Sequence, residues 1–390
     1  MPQVAKLIGD LTADHDAPKQ YHAGYTINGD TGTGSTGPFD PNSELIKTND
    51  DILRKMGLDP TAWVIEGNIH QWSKQMPDGT MRVSIFAGFH RRTDEKTEAR
   101  LLSGDITPIK PLKPETKHDG DPLVVCLADL QLGKAGEPHG GTPELIERFE
   151  DILGQIAGVA RRDKPRMIVL SDVGDMCEST MNHTAMSQTA HNDLPFAQQL
   201  RVARRLFTKA IVTLAKYTPR LVVTGVPSNH MEERLADGKT NGYSDYGVEN
   251  LKTIRDSFDM LAKGRKPEFI IPEPLDTGTF IDVEGLGVAF THGHYAGKQS
   301  KIPDWLAFQA SIPGSIYAKS RVLVYGHWHH FDATFTRGRQ TYCCPALESG
   351  SNWLFQRNAE YSDPGVLTFR VRNSKLCDMR IFQEQEKEKK

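Results

Sequence analysis

From residue 122 onward, short apolar runs recur with long helical stretches between several of them. This alternation constrains the fold more than any other feature of the chain. The runs are PLVVCLA (122–128), RMIVLS (166–171), RLVVTGV (220–226), FIDVEGLGVAFT (280–291) and RVLVYG (321–326). ELIERFEDILGQIAGVARR (144–162) and LPFAQQLRVARRLFTKAIVTLAKY (194–217) separate the first three. Strand-length apolar runs alternating with helical patterns predict an α/β domain built on a largely buried sheet. QTYCCPAL, GVLTFRVRN and CDMRIFQ read as further strands, and EQEKEKK as a solvated tail.

The residues before 122 have a different texture. Residues 1–43 read as a flexible leader, because 13–43 are rich in Gly, Thr, Asp and Pro and carry no periodicity. Residues 44–105 read as a small helix-plus-hairpin module. In it Asn49-Asp50-Asp51 precede a short helix that Gly57 closes, and MPDG separates two strands, AWVIEGNIHQWS and MRVSIFAGFHRR. The segment 106–121, with three prolines and no pattern, reads as a linker. The α/β domain would then span 122–372, with a C-terminal strand and charged tail over 373–390.

A chain of 390 residues can bury one large core and still carry a small module. A net charge of −3 gives no global basic field, although a compact basic groove is compatible with a neutral total. The five cysteines lack C-x-x-C spacing, which suits a reduced, intracellular protein. MPQVAKLIGDLTADHD is too acidic and its apolar stretch too short for a signal peptide, and no run reaches the roughly 18 apolar residues of a membrane helix. The expectation is a soluble, cytoplasmic protein.

The residues immediately after each strand carry the chemistry. PLVVCLA leads into Asp129 and Gln131, RMIVLSDVG into Asp175, and RLVVTGVPS into Asn229-His230. LGVAFT leads into His292-Gly293-His294, and RVLVYG into His327-Trp328-His329-His330. Ligands of open α/β sheets gather at the carboxyl ends of strands. The i, i+2 spacing of Asp129/Gln131 and of His327/His329 lets both members of each pair face one side. Taken singly, each of these is a turn, a cap or a surface histidine. Five strand ends loaded this way in one chain point to a metal site.

The order D-x-[H], G-D, N-H, H-G-H, G-H-x-H resembles that of the calcineurin-like metallophosphoesterases, over roughly 120–372. The chain also looks like phage- and prophage-encoded members of that superfamily, in its ILRKMGLDP stretch and following tryptophan. ADLQLGK is similar to the S-D-x-H-L-G-K opening of the double-strand-break repair nuclease branch. The resemblance implies a central β-sandwich flanked by helices and two divalent metal ions, with Mn favoured over Fe, Zn or Mg. It implies Asp175 as the bridging carboxylate, with Asp129, Gln131 and His329 on one metal and Asn229, His292 and His327 on the other. His230 matches the histidine that faces the scissile phosphate. Mixed carboxylate, amide and imidazole ligands suit Mn, Fe or Zn better than Ca, which wants oxygens only.

The chain departs from the family pattern at two positions. Gln131 stands for a histidine, which predicts weaker, more exchangeable metal there. Ser228 stands for a glycine, which matters only if that position needs positive φ. Glu178 reads either as a residue orienting a ligand or His230, or as an ordinary helix N-terminal acid. Arg234 and His294 are candidates to touch substrate or support a ligand, against a solvated helix face and an exposed histidine. His183 and His191 read as pocket or loop residues. Trp63, Trp72, Phe86 and Phe89 read as core of their module or as base-stacking platforms. The expected function is two-metal hydrolysis of phosphodiesters in nucleic acid or nucleotide, favoured by ADLQLGK and the basic HRR at 90–92. The alternatives are a phosphomonoesterase or protein phosphatase, and a nucleic-acid-binding protein whose metal site has decayed.

Overall fold

The structure, a computed structural model, describes residues 23–28, 31–41, 46, 48–61, 63–76, 80–91, 117–135, 138–179, 192–234, 240–261, 265–336, 338–348, 350 and 362–385. The chain divides into two compact units, Met1–Asp94 and Glu95–Lys390.

The first unit contains β1 (Gly24–Asn28), β2 (Thr31–Ser35), α1 (Asn49–Met56), β3 (Trp63–Gln75) and β4 (Met81–Arg91). The strands form an antiparallel sheet in the order β1-β2-β4-β3. The α1 cap is Thr48, one residue earlier than the Asn-Asp-Asp signal suggests. Its hydroxyl accepts from Asp51 N, and the Asp51 carboxylate accepts from Thr48 N at 3.0 Å. Gly57 closes the helix at φ 90°. Gly24–Asn28 and Thr31–Ser35, expected within a flexible leader, are instead strands β1 and β2. Their ladder partner β4 supplies the order that local composition does not. Trp63 and Phe89 meet edge to face at 5.3 Å inside the core with Leu53 and Met56, so both are packing residues. The side chain of Trp72 lies outside the described residues.

The second unit opens with β5 (Leu123–Leu127), α2 (Thr142–Asp163), β6 (Met167–Asp172), α3 (Phe196–Leu214), β7 (Arg220–Gly225), β8 (Glu232–Arg234), β9 (Thr240–Asp245) and α4 (Tyr246–Leu261). It continues through β10 (Glu268–Ile270), β11 (Gly278–Val283), β12 (Leu286–Thr291), α5 (Ile302–Ser311), β13 (Val322–Tyr325), β14 (Asp332–Thr336), β15 (Arg339–Cys343), β16 (Val366–Arg372) and β17 (Lys375–Phe382). One sheet has the order β10-β7-β6-β5-β16-β17 and another β11-β12-β13-β15-β14, while β8 and β9 pair alone. β10, β7, β6 and β5 run parallel, as do β12, β13 and β15.

Alternation along β5 explains the layering. Leu123, Val125 and Leu127 pack with Phe149 of α2, Phe207 of α3 and Phe258 of α4. Val124 and Cys126 point the other way, into a core shared with Phe290 of β12, Val324 of β13 and Phe369 of β16. A slip of one residue would exchange the two sets, so burial on both faces fixes the register. Ile302 and Leu306 of α5 pack with Ala289 and Leu323 on the far side of the second sheet. No helix among the described residues is long and apolar enough to cross a membrane.

Candidate metal centre

The loops after β5 and β6 run side by side. Asp129 N donates to Gly174 O at 3.1 Å and Gln131 N to Asp175 O at 2.9 Å, and Glu178 N returns to Leu132 O at 2.9 Å. Asp129, Gln131, Asp175, His327 and His329 all have positive φ, between 42° and 74°. Non-glycine residues pay for that conformation, and such residues collect at functional sites. Gly174 (φ 98°) cannot carry a side chain here, because a Cβ would lie 2.6 Å from His292 Nδ1. At Gly326 a Cβ would lie 2.6 Å from Asp129 Oδ2.

Around Asp175 the geometry is that of a cation site. Ligand atoms of Asp175, His292 and His327 all lie within 4.8 Å of one another. His292 Nδ1 lies 2.9 Å from Val173 O, so a proton there leaves Nε2 free to face the cluster. That Nε2 is 2.9 Å from Asn229 Oδ1 and 3.0 Å from Asp175 Oδ2. Asp175 Oδ2 is buried and no N–H is aimed at it in hydrogen-bond geometry. Ligands bound at about 2.1 Å to one ion in octahedral geometry lie roughly 3 Å apart, which these separations match. The residues present therefore fit one divalent ion held by Asp175, Asn229, His292 and His327.

His230 borders this cluster. Its backbone N donates to Asp175 Oδ1 at 3.0 Å, its Nδ1 lies 2.8 Å from Glu178 O, and its Nε2 faces Asp175 Oδ2 at 3.9 Å. The Glu178 carboxylate is 3.6 Å from the same Nδ1, beyond hydrogen-bond distance, so the Glu178 backbone carbonyl is the group that holds the ring. Ser228, beside Asn229, has no positive φ. Its hydroxyl accepts from Asp175 N at 2.8 Å, and its own N donates to Asp245 Oδ2 at 3.0 Å.

The other corner holds Asp129, Gln131 and His329. Both Asp129 oxygens accept from His327 N, at 3.3 and 3.1 Å, and His329 Nε2 lies 3.4 Å from Asp129 Oδ1. Gln131 Nε2 lies 3.4 Å from His329 Nε2, while Gln131 Oε1 accepts from Lys134 Nζ at 3.1 Å. The sequence reading gives no role to two further participants. Glu348, a lone acid beyond β15, reaches the corner because its backbone N donates to Asp129 O at 3.0 Å. Its buried carboxylate lies 2.6 Å from His329 Nδ1 and pairs with Lys134. Lys134 ends the ADLQLGK stretch, a motif position to which the sequence assigns no partner.

His294 lies beside the cluster, its ring 5.4 Å from that of His292 and 6.1 Å from that of His327. Its Nε2 is 3.3 Å from Glu232 Oε1. The Arg234 side chain, His183 and His191 lie outside the described residues.

Burial and neighbouring charges shift the titrating groups of the cluster in opposite directions. Burial opposes the charge on His292, but Asp175 and Asp129 overcome it and lift its pKa to about 9. Burial likewise opposes His329, and Glu348 and Asp129 raise it to about 10. Burial and the neighbouring His292 push His327 down to about 3. Burial would raise Asp175, yet His292 and His230 hold it well below the usual carboxylate range.

No family model matches the chain, and no curated protein matches it. Among solved structures it is similar to a conserved uncharacterized protein, a predicted phosphoesterase, from Streptococcus pneumoniae TIGR4 (10% identity, 67% of this chain and 89% of that one, TM-score 0.29). It is also similar to Vps29 complexed with zinc from Entamoeba histolytica (10%, 67% and 97%, TM-score 0.31) and to an archaeal phosphodiesterase (10%, 67% and 99%, TM-score 0.30). Likenesses of this depth carry no argument about activity. The side-chain geometry must do so.

Proposed function

We propose that the chain is a metal-dependent phosphoesterase of the calcineurin-like type, acting on phosphodiesters. One observation carries the reading: Asp175 Oδ2, His292 Nε2 and Asn229 Oδ1 converge at ligand spacing, with His230 Nε2 facing the same carboxylate. A divalent ion there, when bound, supplies Lewis-acid charge beside the phosphorus. The chain supplies the rest. Asp175 anchors His230 through its backbone, and the Glu178 carbonyl fixes the ring so that Nε2 faces the reacting group. Protonated, that nitrogen is placed to donate to the leaving oxygen. The nuclease-like ADLQLGK favours nucleic acid or nucleotide as the substrate class.

The full chain with Mn²⁺ is expected to hydrolyse bis-p-nitrophenyl phosphate faster than the monoester. His230→Ala should lower that rate by roughly 10²–10⁴-fold with metal content unchanged. A faster monoester reaction would promote a phosphomonoesterase instead, and no turnover with any divalent ion would sink the enzymatic reading. For nucleic acid, DNA affinity should drop when residues 1–100 are deleted. Equal affinity would count against the first unit as a substrate-binding module.

A further inference from the structure

We infer that Lys134 turns Gln131 into a hydrogen-bond donor and closes its corner to a second metal ion, so that the chain holds a single divalent ion at Asp175, Asn229, His292 and His327. The inference rests on the metal-dependent phosphoesterase reading.

An ammonium group has donors and no acceptor, so a side-chain amide beside it must present its oxygen. Lys134 Nζ lies 3.1 Å from Gln131 Oε1, which fixes the amide's orientation. Its nitrogen then points into the corner, 3.4 Å from His329 Nε2, the atom a metal there would need. Rotating the amide to offer oxygen would set its NH₂ against the ammonium. An amide NH₂ does not ligate a cation, so the corner keeps one carboxylate and one imidazole of its own, Asp129 and His329, beside an Asp175 carboxylate it would have to share with the first ion. Among the described residues, a group of three metal-holding His, Cys, Asp or Glu side chains occurs at Asp175, His292 and His327 alone.

Lys134 is held in this role. It pairs with the carboxylate of Glu348, whose side chain is 2% exposed, and Glu348 in turn grips His329 Nδ1 at 2.6 Å. Lysine, glutamate, histidine and glutamine therefore form a closed ring of contacts. The Lys134 ammonium, paired with Glu348, sits behind the corner, and the Gln131 N–H faces into it. An N–H in that position takes the place that a ligand oxygen would need.

The test is the metal content of the full chain after loading with Mn²⁺ and desalting, together with its electron paramagnetic resonance spectrum. One equivalent per chain with the six-line signal of an isolated Mn²⁺ is expected. Two tightly held equivalents with an exchange-coupled signal would overturn the inference and leave the phosphoesterase reading standing. No retained metal would overturn the inference, and the phosphoesterase reading would fall with it only if added divalent ions also gave no turnover. The double variant Gln131→His, Lys134→Met should take up a second equivalent. If that variant folds by circular dichroism and still holds one, Lys134 is not what closes the corner. If it does not fold, the wild-type count decides.

Discussion

Ser228 stands where the resemblance calls for glycine, and the structure gives the serine a task. With no positive φ to satisfy, the position tolerates a side chain, and its hydroxyl bonds the backbone N of Asp175 at 2.8 Å. Removing groups that orient metal ligands typically costs about 10–100-fold in affinity. Ser228→Gly should weaken Mn²⁺ binding by about tenfold in calorimetry; unchanged affinity would make the hydroxyl incidental. Behind it lies Asp245, which accepts from Ser228 N and Val248 N. Burial raises its pKa from 3.8 to about 7. Unfolded, this carboxyl ionises above 3.8, whereas folded it keeps its proton to about 7. The stability linked to it is fully present below the lower value and is lost as pH rises through the upper one. In chelated protein, the wild-type Tm should therefore fall relative to that of Asp245→Asn across this window. Curves that stay parallel would contradict the assignment.

At the scale of elements, left-handed backbone occurs both at the site and away from it. Asp129, Gln131, Asp175, His327 and His329 adopt it at strand ends where their side chains meet. Lys164 adopts it at the end of α2, with φ 46°, where it closes a helix. Glycine suits that position better. Lys164→Gly should stabilise the fold by up to about 1 kcal/mol and leave turnover unchanged. A lower denaturation midpoint would show that the lysine makes a compensating contact. The strands that carry the site are legible in the sequence because burial on both faces leaves a continuous apolar run, as in LVVCL of β5 and VLVY of β13. β1 and β2 are not, because GYTIN and TGTGS owe their order to pairing with each other and with β4.

For the whole molecule, two units with separate apolar cores predict separable folding. A chain reduced to residues 95–390 should unfold cooperatively and retain Mn²⁺-dependent turnover of a small diester. Loss of cooperative unfolding would show that the first unit completes the second. The sequence by itself determined the α/β class and the short list of strand-end residues, since both are written in local pattern: apolar runs, and the residue types immediately after them. It did not contain Glu348 or the task of Lys134. Glu348 lies 219 residues beyond Asp129 in number and reaches the site only because its backbone bonds the Asp129 carbonyl. Nor did it contain the orientation of Gln131. As a residue type, glutamine offers a ligand oxygen and a donor nitrogen equally. Only the folded chain, by bringing an ammonium against one end of the amide, decided which end faces the site.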